Sequence, residues 1–196
     1  MKFYKVVNSK EGHNGLTYQD GLNVDHQEFN PSGDCESGGI YFAREDIFAF
    51  LSYGDTIYEV ELPADAKVYE NPGSPKKWKA DRVILKNPML LKSTETFNIL
   101  IKDGANIHAY DDYALRWAAE NEHLDVIKYL VENGADIHAY YDYALRRSAG
   151  KGYLDVIKYL VENGADIHAY YDYALRWAAG EGHLDVVKYL KSIKRK

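Results

Sequence analysis

The chain has 196 residues, of which 46% are hydrophobic and 14% aromatic; this composition excludes a disordered protein and leaves room for one large domain or two small ones. The net charge of −6 is shared equally by residues 1–92 and 93–196, so neither half has the basic excess that binding to nucleic acid requires. The single cysteine, Cys35, excludes an intramolecular disulfide, and no apolar run approaches the length of about 18 residues of a transmembrane helix.

Residues 1–87 carry short apolar runs separated by Gly, Asn, Asp and Pro, a pattern typical of β-strands. The predicted strands are Phe3–Val7 and residues 39–42, 56–62 and 82–85. Residues 44–53 space their apolar side chains at helical intervals and stop before Gly54, so a helix is predicted there. A loop is predicted at residues 72–75, and Asn87-Pro88 marks a predicted boundary. The pattern indicates an α+β module.

The predicted strand at residues 39–42 carries a motif that suggests chemistry. Gly38-Gly39-Ile40-Tyr41-Phe42-Ala43, followed by a helix and a strand, resembles a motif of ADP-ribosyltransferases. The resemblance implies a ligand cleft at Gly39 and Tyr41, where the tyrosine ring would stack on the nicotinamide of NAD. Two catalytic positions of that family do not match. The first strand has no His or Arg, and the acid near the last strand, Asp81, is out of register. We therefore expect no enzymatic activity and no cofactor, with a degenerate NAD-binding module as the alternative.

From residue 93 onward the apolar spacing is helical and the sequence repeats every thirty residues. His108-Ala109-Tyr110 recurs at residues 138–140 and 168–170, and residues 132–137 recur unchanged at 162–167. A fixed period of this length is typical of stacked helical units that share one core. Each unit predicts two helices, at 113–121 and 124–133 in the first copy, and Gly134 fits a left-handed C-terminal cap. The apolar face of the second helix is predicted to consist of Leu124, Ile127, Leu130 and Val131.

The segment His-Leu-Asp-Val-Ile-Lys-Tyr-Leu-Val-Glu-Asn-Gly-Ala-Asp-Ile, residues 123–137, resembles the second helix and following loop of ankyrin repeats. The resemblance implies an all-α solenoid over residues 88–196, with a partial first unit, two full repeats and a C-terminal capping repeat. Ankyrin units usually have 33 residues, and the three missing here fall in the finger that precedes the first helix. We expect a short turn there instead of a β-hairpin. Thirty-residue units resemble the ankyrin proteins of giant amoebal viruses of the mimivirus group.

Positions that differ between the near-identical copies are the candidates for partner binding. They lie in the fingers and first helices, which line the binding face in the family that the sequence resembles. Tyr, Trp and Arg are the residue types enriched in binding hot spots. The candidates are Trp117, Arg147, Trp177 and Tyr153, whose positions vary, together with the finger tyrosines, among them Tyr110, Tyr141 and Tyr171. The alternative is structural: the tyrosines cover a shortened loop and the tryptophans fill space between helices.

Other repeated polar residues predict structure rather than chemistry. His108 and its equivalents at 138 and 168 would lie about 10 Å apart, the spacing of packed helices. Ligand nitrogens must lie about 2 Å from a metal ion, so the three histidines cannot share one. We expect them to hydrogen-bond neighbouring turns. Arg116, Arg146 and Arg176 form a second ladder, for which the finger aspartates at 112, 142 and 172 are the expected partners. Cys35 lies between two acids, which disfavour a reactive thiolate.

The sequence therefore predicts an α+β module, residues 1–87, followed by an ankyrin-repeat solenoid with shortened fingers, residues 88–196. We expect a non-enzymatic protein of the host cytoplasm that binds a host or viral protein, as a monomer or with weak self-association. Nucleic acid, membrane and metal ions are not expected partners. The alternative function is an NAD-binding or ADP-ribosyltransferase-like module that the repeats bring to its target.

Overall fold

A computed structural model describes residues 2–8, 15–32 and 37–193; Cys35 lies outside these ranges. By packing, the chain divides into two compact units, Met1–Asn106 and Ile107–Lys196. The first unit is rich in β-strands and the second consists of paired helices, as the sequence predicts. The predicted boundary after residue 87 concerns where the repeat-like sequence begins, and it stays a prediction.

The first unit contains two antiparallel sheets. Strands β1 to β7 are Phe3–Val7, Gly21–Val24, Ile40–Phe42, Thr56–Glu61, Val68–Asn71, Lys77–Ala80 and Arg82–Leu90. A four-stranded sheet has the order β1-β4-β7-β2, and a three-stranded sheet has the order β3-β6-β5. The four predicted strands are present with adjusted ends. Strands β2, β5 and β6 were not predicted, because each is only four residues long and β5 and β6 carry charged side chains.

Strand β7 continues through Asn87 and Pro88, where the sequence suggested a boundary. Its pairing with β4 shifts register between Ile57 and Glu59, so that β7 has one extra residue there. Asn87 has a φ of +51°. A β-bulge of this kind tolerates proline, because the extra residue makes no ladder hydrogen bond. The strand therefore bends at Asn87-Pro88 instead of ending.

The helix predicted at residues 44–53 is a shorter 3₁₀ helix, Ile47–Tyr53. Its buried residues include Phe48, whose ring stacks on Phe97 with a centroid distance of 5.6 Å. Phe97 belongs to helix α1, Thr94–Lys102. The 3₁₀ helix ends at Gly54, as predicted, and a Cβ atom there would lie 2.0 Å from the carbonyl oxygen of Val7. Only glycine permits this close approach of two backbones.

The second unit consists of three helix pairs. Helices α2 to α7 are Ala109–Glu120, Leu124–Glu132, Ala139–Lys151, Leu154–Glu162, Ala169–Gly180 and Leu184–Ser192. The first helices of successive pairs, α2, α4 and α6, pack on one another, and so do the second helices, α3, α5 and α7. In α3, Val126, Ile127 and Leu130 are buried. The predicted core positions Leu124 and Val131 are only partly buried, whereas Val126, which was not predicted to be in the core, is fully buried.

In each finger, the segment at the start of the first helix of a pair, a left-handed turn replaces the usual hairpin. In the second finger, Tyr140, Tyr141 and Asp142 have φ values of 54°, 60° and 52°. The first and third fingers repeat this conformation. The expected short turn is therefore present. Left-handed geometry costs about 1–2 kcal/mol for each residue other than glycine, so other contacts must stabilise it.

An arginine holds the carbonyl groups of this turn. Nε of Arg146 donates to the carbonyl oxygen of Tyr141 at 2.7 Å, and Nη2 donates to that of Tyr140 at 2.8 Å. Arg116 makes the same pair of bonds in the first finger, at 2.9 and 2.6 Å. The predicted aspartate partners are therefore wrong for Arg116 and Arg146: both guanidinium groups bind backbone oxygens. The planar fork fits two adjacent carbonyls that a left-handed turn presents on one side.

The finger aspartate joins one repeat to the next. Oδ1 of Asp142 accepts the backbone N–H of Asp166, 24 residues later, at 2.8 Å. The same oxygen lies 3.0 Å from Nδ1 of His138 in its own finger. Asp112 repeats both contacts with Asp136 and His108. The histidines thus hydrogen-bond the finger turn, and each pairs with the aspartate four residues later.

Replacing the Asp142 carboxylate should weaken the stack. In Asp142→Ala the N–H of Asp166 loses the carboxylate that accepts it, which costs about 1–3 kcal/mol of the free energy of unfolding. Asp172→Ala is the matched control, because the Asp172 side chain is 46% exposed while that of Asp142 is 7% exposed. We expect the control to lose less than half as much, measured by urea denaturation followed by circular dichroism. Equal losses in the two variants would contradict the linking role of Asp142.

The guanidinium group of Arg146 with its two hydrogen bonds to the turn is here called the arginine fork. Lysine should not be able to replace it. Arg146→Lys keeps the charge but cannot donate to two carbonyls in one plane, so we expect a loss of about 1–2 kcal/mol in the free energy of unfolding. Arg176→Lys is the control, since Arg176 is exposed and lies against the ring of Tyr173; its loss should stay below about 0.5 kcal/mol. An Arg146→Lys variant as stable as the wild type would show that the fork does not hold the turn.

Candidate functional site

Four tyrosines of the second and third fingers form a continuous exposed surface, here called the tyrosine strip. Its members are Tyr140, Tyr141, Tyr170 and Tyr171, with exposed fractions of 54%, 68%, 52% and 83%. Adjacent ring centroids along the strip lie 6.3, 6.1 and 6.0 Å apart. Each pair is within the range of aromatic contact. The strip therefore crosses from one repeat to the next without a gap.

The arginines that hold the turns also support the rings of the strip. The guanidinium carbon of Arg116 lies 5.1 Å from the ring centroids of both Tyr113 and Tyr140. In the next repeat Arg146 lies 4.9 Å from the Tyr170 ring and 5.5 Å from the Tyr173 ring. Cation–π contacts of this kind orient an aromatic ring while one face of it stays available. Two of the four rings of the strip, Tyr140 and Tyr170, are thus held by an arginine of the preceding repeat.

The other predicted finger residues are placed differently. Tyr110 of the first finger is 44% exposed, and Tyr153 is partly buried just before helix α5. Tyr141 and Tyr171, which occupy a position that is aspartate in the first finger, are the most exposed tyrosines of the strip. The structure therefore brings Tyr141 and Tyr171 into one surface. The same surface includes Tyr140 and Tyr170, the equivalents of Tyr110 in the second and third fingers.

The predicted positions 117, 147 and 177 pack between helices. Trp117 is 8% exposed, and its ring lies 5.2 Å from that of His123. Nε of Arg147 donates to Glu120 at 2.8 Å, and its guanidinium lies 5.2 Å from the Trp177 ring. These contacts join the first repeat to the second and the second to the third. The structure therefore favours the alternative for Trp117, because a ring with so little exposed area cannot bury much more on a partner.

Glycine at position 150 makes room for Trp177. A Cβ atom at Gly150 would lie 2.5 Å from the Trp177 ring. The equivalent residue of the first repeat is Glu120, which instead pairs with Arg147. The variation among the copies at these positions is thus coupled: glutamate faces arginine at one junction, and glycine faces tryptophan at the next.

A second candidate site is a cavity of about 150 Å³ in the strand-rich unit. Its walls are mainly aromatic and aliphatic, with two lysines. The lining residues are Tyr4, Lys5, Val6, Val7, Asn8, Tyr18, Tyr41, Phe42, Ala43, Ile47, Phe50, Tyr53 and Lys77. Tyr41, which the sequence predicts in a ligand cleft, lines this cavity.

Gly39, the other predicted cleft residue, is not among the lining residues. Its φ is +142°, and a Cβ atom there would lie 2.5 Å from the side chain of Lys79. Its backbone N–H donates to Oδ2 of Asp25 at 2.8 Å. The glycine is therefore needed where the chain passes the buried Lys79 side chain, and its contact with a ligand stays a prediction.

Lys5 is the most unusual group of the cavity. It is 6% exposed, and its Nζ donates to the carbonyl oxygen of Tyr41 at 2.9 Å. The same nitrogen lies 4.4 Å from the ring centroid of Tyr18. Burial lowers the pKa of Lys5 to about 7, because a charged ammonium loses hydration that these neighbours only partly replace. Burial also raises the pKa of the Tyr18 hydroxyl.

Asp81 has a structural environment and not that of a catalytic acid. Its Oδ1 accepts the backbone N–H of Lys67 at 2.8 Å, and Oδ2 accepts two bonds from Arg82 at 3.1 and 3.0 Å. Burial opposes ionisation of this carboxyl, but the hydrogen bonds from Arg82 and Lys67 outweigh it, and the pKa of Asp81 is lowered. The carboxylate therefore ties the turn between β6 and β7 to the loop before β5.

Among the described residues, no helix is both long and apolar enough to cross a bilayer. In the same part of the chain, no three His, Cys, Asp or Glu side chains are grouped to hold a metal ion. The ring of each finger histidine pairs with the aspartate four residues later. The two candidate sites are therefore the tyrosine strip and the cavity.

Comparison with known families identifies the helical unit. Residues 110–142 match the family model for the ankyrin repeat, and residues 141–190 match the model for ankyrin repeats in many copies. These ranges include all three left-handed fingers except the start of the first. Ankyrin repeats indicate a scaffold for protein–protein interaction.

The relatives found among curated proteins come from Acanthamoeba polyphaga mimivirus. Ankyrin repeat protein R229 is 38% identical over 140 residues, a match that covers 64% of this chain and 46% of that protein. Ankyrin repeat protein R868 is 31% identical, covering 64% of both chains. Uncharacterized protein R869 is 33% identical, covering 64% of this chain and 94% of that protein.

The chain thus spans about half to two thirds of the length of the first two relatives. Because 64% of this chain is more than residues 93–196 contain, the similarity extends into the strand-rich unit. A match of this identity over nearly the full length of R869 establishes common descent. The chain therefore belongs to the ankyrin repeat proteins, as a relative of those of mimivirus.

Proposed function

We propose that the ankyrin unit binds a host or viral protein through the tyrosine strip. The observation that carries the proposal is the exposure of four adjacent phenol rings, up to 83% for Tyr171, on a segment fixed by arginine hydrogen bonds. Exposed apolar area of this kind is unfavourable in water unless a partner covers it. We therefore propose that the chain is a non-enzymatic interaction protein that acts in the host cytoplasm.

The chemistry of the strip suits protein recognition. Tyrosine offers a large contact area with only two rotatable bonds and ends in a hydroxyl that can donate and accept. Ring contacts already order Tyr141 against Tyr140 and Tyr170, so binding costs little side-chain entropy. A partner with an extended apolar edge and accessible backbone groups would satisfy both the rings and the hydroxyls.

A second candidate function is NAD binding by the strand-rich unit. The observation that favours it is the position of Tyr41 in the wall of a cavity. Calorimetric titration of the full chain with NAD, wild type against Tyr41→Ala, tests it. Binding that the variant loses would support this function, and no heat of binding with the wild type would exclude it.

The strip should be the determinant of partner binding. Tyr141→Ala/Tyr171→Ala removes its two most exposed rings, and loss of two hot-spot residues should weaken binding by about thirtyfold or more. The measurement is affinity capture from amoebal lysate, followed by biolayer interferometry with the captured protein. Neither ring is buried, so thermal unfolding should be unchanged.

Leu184→Ala is the matched control. Leu184 is an equally exposed apolar residue, at 76%, but it lies at the start of helix α7 and outside the fingers. We expect this variant to bind as the wild type does. Equal capture by the double tyrosine variant and the wild type, with both folded, would overturn the proposal.

A further inference from the structure

We propose that Lys5 is a reactive amine that captures a small aromatic aldehyde, as an imine, inside the cavity of the strand-rich unit. The proposal concerns a site apart from the tyrosine strip, and it depends neither on the strip nor on NAD binding. It rests on three observations: the place of the Lys5 amine in the cavity wall, the neutral character of the groups that it contacts, and the size and aromatic lining of the cavity.

The Lys5 amine lies at the wall of the cavity. Its Nζ donates to the carbonyl oxygen of Tyr41 at 2.9 Å and lies 4.4 Å from the ring centroid of Tyr18. All three residues line the cavity, so these contacts place Nζ where a guest would meet it. The hydrogen bond uses one N–H and fixes the position of the nitrogen.

The surroundings favour the uncharged amine. In the described part of the chain Nζ contacts neutral groups, a carbonyl and a ring, and Lys5 is 6% exposed. Burial therefore lowers the pKa of Lys5 to about 7. An ordinary lysine has a pKa of about 10.4, so that less than about one in a thousand is uncharged at neutral pH. The uncharged form carries the lone pair that attacks a carbonyl carbon.

Other titratable side chains surround this amine. Those that line the cavity or lie opposite Lys5 in the sheet are Tyr4, Tyr18, Tyr41, Tyr53, Tyr58 and Lys77. Burial is the first cause that raises the pKa values of the Tyr18 and Tyr58 hydroxyls, and nearby carboxylates add to it. These phenols therefore stay neutral near pH 7, and the lowered pKa of Lys5 has burial as its cause.

The volume of the cavity fits one ring. A cavity of about 150 Å³ with apolar walls is large enough to hold one benzene molecule, and the cavity beside Lys5 has this volume. Its aromatic lining residues are Tyr4, Tyr18, Tyr41, Phe42, Phe50 and Tyr53. Aromatic walls favour a planar aromatic guest, since offset stacking and edge contacts add to the burial of apolar area.

The reaction needs no oxidant or reductant. The uncharged Nζ attacks the aldehyde carbon, and a C–N bond forms as the C=O double bond opens. The carbonyl oxygen then leaves as water with the two hydrogens of the amine, and a C=N double bond remains. A ring that fills the cavity excludes the water that would hydrolyse this imine. Protonated from solvent, the imine nitrogen can donate to the Tyr41 carbonyl as the amine does.

The test is reductive trapping on the full chain at pH 7.5. Benzaldehyde is added with sodium cyanoborohydride, which reduces an imine to a stable secondary amine, and the modified residues are located by mass spectrometric peptide mapping. We expect Lys5 to be modified at least about tenfold faster than exposed lysines such as Lys86, which pairs with Glu61. The reason is that Lys5 is largely uncharged at this pH and the cavity holds the aldehyde beside it.

The α-amino group of the same chain is the matched control. Its ordinary pKa is about 7.7–8, so it is an amine of similar charge state without this cavity. A longer probe, biphenyl-4-carbaldehyde, separates the two amines. We expect it to modify Lys5 at least about tenfold more slowly than benzaldehyde does, because the cavity holds one ring. At the α-amino group the two probes should react at similar rates.

Variants assign the modified amine. Lys5→Met keeps the length of the side chain and removes a buried amine, so the unit should fold. Its benzaldehyde incorporation should fall by the share mapped to Lys5, with the α-amino group modified as before. Lys86→Met should keep the full modification of Lys5. The peptide map of the wild type tests the proposal even where a variant does not fold.

Three results would overturn the proposal. Equal rates at Lys5 and at exposed lysines would show that burial does not make this amine reactive. Equal modification of Lys5 by the short and the long aldehyde would show a reaction outside the cavity. An unmodified Lys5 in the folded wild-type chain, with the α-amino group modified, would show that the cavity does not admit an aldehyde.

Discussion

A buried carboxylate in each of the first two fingers holds the stack together. Asp142 accepts the backbone N–H of Asp166 in the next repeat and lies beside the ring of His138 in its own. A charged group at this depth is stable only because both contacts are made. The aspartate can reach the next repeat because the finger turns left-handed near the start of helix α4. The unfavourable turn is compensated by the arginine fork and by this link between repeats.

The same turn creates the binding surface. Shortening the unit to thirty residues removes the hairpin, and the finger then has three residues in left-handed geometry before the helix continues. Two of those residues are tyrosines in the second and third repeats, and their rings are exposed. Arg116 and Arg146 each serve two purposes: they bind the carbonyls of one turn and lie against the Tyr140 or Tyr170 ring of the next repeat. Stability of the stack and presentation of the strip thus depend on the same side chains.

Sequence periodicity predicts the second helices well, since the apolar spacing around Ile127 and Leu130 decides their buried face. It cannot predict the left-handed turn, because Tyr-Tyr-Asp has no local preference for that conformation and only the contacts of Arg146 and Asp142 stabilise it. The same limit explains why the sequence predicts the wrong hydrogen-bond partners for the repeated arginines. Variation between the copies identifies Tyr141 and Tyr171 as candidate binding residues. The position of Trp117 also varies, but it does so because its side chain packs at a junction between helices. The motif that contains Tyr41 suggests the cavity beside it. The burial of Lys5 cannot be predicted in this way, because it depends on the contact between β1 and the end of β3.

Hydrogen–deuterium exchange of the chain, free and bound to its captured protein partner, tests the central claim most directly. The claim is that the fingers present the partner surface, so binding should slow exchange in residues 138–143 and 168–173. Exchange in the second helices, Leu154–Glu162 and Leu184–Ser192, should stay the same within error. Protection confined to those helices or to the strand-rich unit, with unchanged fingers, would contradict the account.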